Sequence, residues 1–455
     1  MKSNHFTRRK FIKTTSVSAI TASQIVTAAY AISNRGDTSG KLAALGGKPV
    51  RSNKSWPRWP YYDQNIIDSV LKTTKSGIWC RIQDKENGTV TTFERKWAEM
   101  MGVRKCVATG SGTQALHTAV EALGIGPGDE VITSPYTDPG TVASILAARA
   151  LPVLADIDRF SFQMDPDDVE GRINPNTKAI MPVHMMGQAA HMERFMEMAE
   201  KHNLFIIEDA CQAHFAKYKS KLLGTIGTLG CFSHQSSKVL NCGEGGNIIG
   251  NDEKLMDRCF TVQNHGTSRL GRTETIGPKY RMDEFDAAIL LGQIPTVMAR
   301  HALRNKNANY LTSKIKDIPG IQSQKMYDGQ EDGSYYLYAM NYDKNLYNGI
   351  HRSIYLKALA AEGINLSPYI KNGLHKEPWV DNIINRRVYK KMYTSQRLQQ
   401  FKDEMVCPNC DAVCQEEIVM IWASGPLLGT QDDMDDIINA LTKVYENRDQ
   451  LREVQ

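Results

Sequence analysis

The sequence predicts an α/β protein: a large domain on a mainly parallel sheet, followed by a smaller α+β domain. Three observations carry that expectation. The 455 residues are 41% hydrophobic and 23% charged, a globular composition long enough to bury a sizeable core. From Arg104 onward, short apolar runs alternate with helix-patterned segments, as strands covered on both faces by crossover helices do. After about Arg300 the alternation gives way to a long polar helix, a Tyr-rich strand and two further helices.

Residues 1–31 read as an address. They hold Lys2, Arg8, Arg9, Lys10 and Lys13 and no acid, and so account for the whole formal charge of +5. The remainder is formally neutral and makes no case for nucleic acid. Thr7–Lys13, the hydroxyl-rich run Thr14–Ala28 and Ala29-Tyr30-Ala31 look like a twin-arginine signal peptide with its cleavage site. The alternative is a basic arm that stays on the protein. A signal predicts export, with a periplasmic location; without it the location is cytoplasmic. No later stretch reaches the roughly 20 apolar residues of a membrane span, so no transmembrane segment is expected in the mature chain.

Residues 32–62 form a linker with Gly46-Gly47 and Trp56 and Trp59. The large domain is assigned to residues 63–300 and the small one to 301–455. Within the first, Cys106–Ala108, Glu130–Ile132, Pro152–Asp156, Ala179–Val183 and Leu204–Ile207 read as strands. Thr113–Leu123, Val142–Ala148, Pro166–Ile173 and His191–His202 read as the helices between them. In the second, Ser334–Tyr342 reads as a strand, and Ile354–Glu362 and Asp432–Leu451 as helices. Cys407 and Cys410 have C-x-x-C spacing with Cys414 beyond, but no second pair or nearby His completes a metal site. Free or locally paired thiols are expected there, and no metal.

Sites in such sheets lie beyond the carboxyl ends of strands. Gly110-Ser111-Gly112-Thr113 joins a strand to a helix, where backbone N–H groups and the helix dipole can hold a phosphate. The same stretch imitates a dinucleotide fingerprint with Glu130 as its acid, although Glu130 opens its strand instead of closing it. Asp209 closes the strand Leu204–Ile207 and is placed to pair with a protonated ring nitrogen. Lys238 has the apolar neighbours Phe232, Val239 and Leu240, and a buried amine is a usable nucleophile and base. Phosphate cradle, carboxylate and buried lysine together describe a pyridoxal phosphate site.

Arg104–Asp252 resembles the DegT/StrS family of PLP-dependent sugar aminotransferases, also called DegT/DnrJ/StrS. The likeness rests on GTQALHTAVEALGIGPGDEVI, DPDDVEGRINPNTKAIMPVHMMGQ, IIEDACQAH and FSHQSSKVLNCGEGG. It implies the aspartate-aminotransferase-like fold, PLP-dependent transferase fold type I, and a homodimer with sites at the interface. It implies an amino donor, Glu or Gln, and a keto-sugar or keto-cyclitol acceptor, closest to the scyllo-inosose branch. Lys238 matches the Schiff-base lysine, Asp209 the pyridinium partner and Gln212 the side chain near the ring hydroxyl. Ser233, Gly112 and Thr113 match phosphate contacts. His184 is a site-wall or a core histidine, and Glu244 lies in a GEGG turn of substrate-binding or conformational use. Two departures stand out. Asp138 replaces a stacking aromatic residue, which Tyr136 could supply instead, and Lys279 replaces the Asn of an N-Y-R-M segment that reaches the neighbouring subunit's phosphate. Two other functions stay open: an NAD-dependent oxidoreductase, and a non-catalytic PLP- or sugar-binding regulator.

Overall fold

Each apolar run from Lys105 onward is too short for a buried helix, and each run between has one polar face, so the chain settles into alternating strands and crossover helices. The computed structural model describes residues 40–454; the leader expected at residues 1–31 lies outside them. Helices α1 (Gln64–Ser76) and α2 (Thr89–Met101) come first. Then follow β1 (Lys105–Thr109), α3 (Gly112–Ala122), β2 (Glu130–Thr133), α4 (Pro139–Ala147), β3 (Leu151–Leu154) and α5 (Pro166–Arg172). The series continues through β4 (Thr177–Met181), α6 (Met192–His202), β5 (Phe205–Asp209), the short pair β6 (Lys217–Tyr218) and β7 (Lys221–Leu222), β8 (Leu229–Ser233), β9 (Gly246–Gly250) and α7 (Glu253–Gln263).

Seven strands form the central sheet in the order β1-β9-β8-β5-β4-β2-β3. Neighbours from β8 to β3 pair in parallel, while β9 runs antiparallel to both β1 and β8. Strands β2, β3, β8 and β9 are buried along their whole length, as a sheet covered on both faces requires. Because β1, β5 and β8 point the same way, the turns after Thr109, Asp209 and Ser233 meet at one edge. Helix α4 begins three residues before the expected Val142. Asp138 is extended and accepts from Gly140 N at 2.8 Å, and Pro139 opens the first turn.

The second domain centres on the antiparallel sheet β10 (Ile321–Ser323), β12 (Leu337–Tyr342) and β13 (Ile418–Trp422), while β11 (Gln330–Asp332) joins β6 and β7. Helices α9 (Arg352–Ala361) and α14 (Gln431–Glu446) pack on it around Tyr338, Met340, Tyr355 and Leu441. The linear division at residue 300 falls inside one helix, α8 (Glu284–Ile315). Leu42, from the linker, is buried in the small domain's core, and Arg51 bonds Asp433 and Asp436 on α14. In the other direction, the helices between Trp379 and Asp403 leave the small domain and cover edge strand β3. Val380, Tyr389, Leu398 and Phe401 pack with Leu151, and Arg397 forks onto the fully buried Glu130 at 2.6 and 2.9 Å. No helix among the described residues is long and apolar enough to cross a membrane.

Candidate active site

Strand β1 ends in a turn whose Ser111 is extended and caps α3 by accepting from Gln114 N at 3.2 Å. That cap leaves the N–H groups of Gly112 and Thr113 without a hydrogen-bond partner among the described residues, at the positive end of the helix dipole. Only glycine fits at 112: a Cβ there would lie 2.7 Å from Ser233 Cβ and 2.8 Å from Cys211 Sγ. The close approach brings the cradle against the end of β8.

Asp209 closes β5 and is buried. Its Oδ2 accepts from Thr141 Oγ1 at 2.7 Å and its Oδ1 from Cys211 N at 3.2 Å; Thr137 Oγ1 lies 2.8 Å from Thr141 Oγ1. Successive strand residues point to opposite faces, so the neighbouring Glu208 turns away from the site. Its carboxylate accepts from the N–H groups of Gly224, Ile226 and Gly227 and meets His184 Nε2 at 3.0 Å.

Lys238 ends a turn closed by its own N–H on Gln235 O at 2.8 Å, and Asn241 Nδ2 holds its carbonyl at 2.9 Å. Its side chain is 9% exposed, with Nζ 4.1 Å from the centre of the Tyr336 ring and no ion pair among the described residues. Ser237 Oγ sits 2.9 Å from Tyr336 Oη, and Ser424 Oγ donates to Ser237 O at 2.8 Å. The fully buried Arg304 of α8 in turn donates to Ser424 O at 2.9 Å, so a rod shared by both domains holds the lysine turn. Gln212 accepts from Met186 N at 2.8 Å and donates to Tyr369 Oη at 3.1 Å.

These groups line one cavity of about 380 Å³, together with Asp138, Val183, Glu244, Tyr336, Tyr369 and Trp422. Burial pushes the His214 imidazole well below its usual range and that of His234 down to about 4, so both stay neutral beneath the site. Burial, then Asp209, pushes the Cys211 thiol up, which makes it a poor nucleophile. The amine left to act at the cavity is Lys238.

Over residues 60–424 the sequence matches the DegT/DnrJ/EryC1/StrS aminotransferase family. The chain belongs to that family. It is 32% identical over 427 residues to the L-glutamine:2-deoxy-scyllo-inosose aminotransferase of Streptoalloteichus tenebrarius, covering 90% of this chain and 99% of that one. It is 30% identical over 422 residues to the L-glutamine:scyllo-inosose aminotransferase of Streptomyces griseus, covering 89% and 97%. Among solved structures, DesV of S. venezuelae in complex with a ketimine intermediate is similar at TM-score 0.71 and 26% identity, over 86% of this chain and 99% of that one. An aminotransferase from Psychrobacter cryohalolentis reaches TM-score 0.75 at 25% identity, over 86% and 99%. The protein is an aminotransferase, with the α/β fold the sequence predicted.

The structure brings Gly112, Thr113, Asp209, Gln212, Ser233, Lys238 and Glu244 to one cavity and leaves Tyr136 and His184 out of it. Tyr136 is fully buried against Phe162 and the back of Tyr369, so it offers no ring face to the cavity. His184 takes the core alternative, between Glu208 and the N–H of Ala190. Lys279 lies exposed on a loop bridged to Asn264, outside this chain's cavity. Glu130 pairs with Arg397 at the opposite end of the sheet, so the dinucleotide fingerprint lacks its acid. Cys407, Cys410 and Cys414 are buried thiols; Cys410 and Cys414 Sγ lie 3.9 Å apart, and that contact, then burial, pushes the Cys410 thiol up.

The aromatic wall of Tyr336, Tyr369 and Trp422 was not anticipated. Its only sequence signal was the Tyr-rich strand, since the three rings come from segments about 30 and 50 residues apart that form no local motif. Thr141 was missed as well: it lies in the first turn of α4, 68 positions before Asp209, and only the fold brings its hydroxyl to that carboxylate.

Proposed function

We propose that this aminotransferase uses pyridoxal 5'-phosphate to move the amino group of glutamine to a keto-cyclitol. The observation that carries the reading is one cavity in which a buried amine and two helix N-terminal N–H groups, all without ion-pair or hydrogen-bond partners among the described residues, converge with a hydroxyl-held carboxylate. Those groups fit the cofactor. The N–H groups of Gly112 and Thr113, with Ser233, suit its phosphate. Asp209 suits a protonated ring nitrogen, Gln212 the ring hydroxyl, and Lys238 the carbonyl. When bound, the cofactor supplies an electron-withdrawing ring that stores the transferred amine.

The chain's own residues then have separable tasks. Thr141 and the N–H of Cys211 keep the Asp209 carboxylate fixed in place for the ring nitrogen. Lys238, once freed by the donor, would be the base that takes the substrate's Cα proton at Nζ and returns it two atoms along, across the transferred nitrogen. The Tyr336 ring and the Ser237–Tyr336 contact hold that amine over the cavity during the transfer. Glutamine as donor and a keto-cyclitol as acceptor are supported by the relatives' activities.

In the purified protein, a cofactor absorbance band lost in Lys238→Ala and converted by glutamine to the pyridoxamine form, then restored by 2-deoxy-scyllo-inosose, is the expected result. No conversion by glutamine, or conversion that no keto-cyclitol reverses, overturns the reading.

Two further parts belong to it. A homodimer with shared sites is supported by exposed apolar side chains on and after α1: Ile67, Leu71, Trp79 and Ile82. Lys279 would then serve the neighbouring phosphate; a monomer in sedimentation would rule this out. Export is supported by Arg8 and Arg9. Replacing both with Lys should leave the protein in the cytoplasm, and unchanged fractionation would exclude a twin-arginine signal.

A further inference from the structure

The ionisable groups on the cavity wall are unevenly divided in charge. Asp138, Asp209 and Glu244 contribute carboxylates, and Lys238 is the one cation among the described lining residues. Asp209 is held by Thr141 and Lys238 is reserved for the chemistry. Asp138 is free to meet a ligand: it is exposed, its Oδ1 caps Gly140 N, and it forms no ion pair among the described residues.

The small domain contributes aromatic faces to the same cavity. Tyr336 and Trp422 stand edge to face with centroids 6.0 Å apart, and Tyr369 meets Trp422 at 6.1 Å. Trp422 is 48% exposed, a large apolar face at the mouth of a polar cavity. The wall already holds one amine, that of Lys238, 4.1 Å from the Tyr336 centroid. An indole face suits the C–H face of a saturated ring, and both aromatic faces and a carboxylate attract a cation. A phosphate on the acceptor would instead approach Asp138 and Glu244 and be repelled.

We infer that Asp138, Tyr336 and Trp422 form the acceptor subsite, and that it selects a polyhydroxylated ring bearing an ammonium group. Asp138 is the specificity-determining residue, standing where the resemblance led us to expect a stacking aromatic. The inference rests on the amino-transfer reading above and narrows its acceptor.

The test loads the enzyme with pyridoxamine 5'-phosphate, which bypasses the glutamine step, and titrates it with two ketones. One is 3-amino-2,3-dideoxy-scyllo-inosose and the other 2-deoxy-scyllo-inosose, which carries no amine. Tryptophan fluorescence reads binding, and cofactor absorbance reads chemistry, in the same sample. The wild-type protein should bind the amino-bearing ketone about fivefold tighter. Asp138→Asn keeps a helix-capping side chain and should bring the two ketones within about twofold of each other. Trp422→Ala should weaken both alike. Equal binding by the wild type, a preference that survives Asp138→Asn, or unchanged binding in Trp422→Ala overturns the subsite. A binding preference with no change in cofactor absorbance supports the subsite and overturns amino transfer to these ketones.

Discussion

The two walls of the cavity are built in opposite ways. The large domain's wall is polar and comes from the carboxyl ends of β1, β5 and β8, where Asp209 and Ser233 close their strands and Gly112, Thr113, Gln212 and Lys238 lie in the turns that follow. The small domain's wall is aromatic and comes from three separate places: the residue before β12, a loop after α9 and the end of β13. The first wall holds groups that any aminotransferase reaction at this cavity needs. The second supplies ring faces, of which Tyr336 also steadies the Lys238 amine. The reacting groups therefore lie on the large domain, while selectivity is shared between Asp138 and the small domain's rings, the two domains being joined through Arg304, Ser424 and Ser237.

The sharpest way to break that division is Lys238→Ala. It should lower turnover by at least about a thousandfold, since tether and base are lost together, while thermal unfolding stays near that of the parent. A comparable fall for Tyr336→Phe would deny that the walls differ in kind. Next in size is Arg397→Ala, which leaves the fully buried Glu130 without its fork and should destabilise the fold by about 3 kcal/mol in urea titration. Cofactor affinity of the folded fraction should change little, because that ion pair lies at the far end of the sheet from the cradle.

Thr141→Val removes one hydroxyl of nearly the same shape and leaves Asp209 Oδ2 without its donor. Reconstitution of the apoprotein should then need about tenfold more pyridoxal phosphate, as expected for a hydrogen bond to a charged group. Tyr336→Phe keeps the ring beneath Lys238 and loses only the Ser237 contact, so turnover should fall by no more than about threefold.

Stability against pH gives a separate readout that does not depend on the cavity's chemistry. Burial lowers His234 and His301 to about 4 from an ordinary 6.5. Between those values the unfolded chain binds protons that the native state refuses, so stability should fall as pH drops from 6.5 toward 4. A melting temperature that stays flat across that interval in wild type and His301→Gln alike would contradict it.

The polar wall was legible because its residues are tied to local signals. A strand run followed by Gly-x-Gly and a helix, an acid closing a strand, and a lysine between apolar neighbours each imply a place in an α/β sheet. Readings failed or stayed open where position depended on packing. Tyr136 is two residues from the cavity-lining Asp138, yet the turn buries its ring behind Tyr369. His184 follows a strand end as Asp209 does, but a buried Glu208 captures it.

What the sequence by itself determined is the alternation of strands and helices from Cys106 to Ile207, the sheet class and a set of polar candidates that the fold brings to one cavity, because apolar periodicity and turn chemistry act over a few neighbouring residues. Only the tertiary structure decided which rings face that site, that Thr141 holds Asp209, and that segments from both ends of the chain exchange between domains. Those outcomes depend on close packing between residues tens to hundreds of positions apart, a constraint that leaves no pattern in any local stretch of sequence.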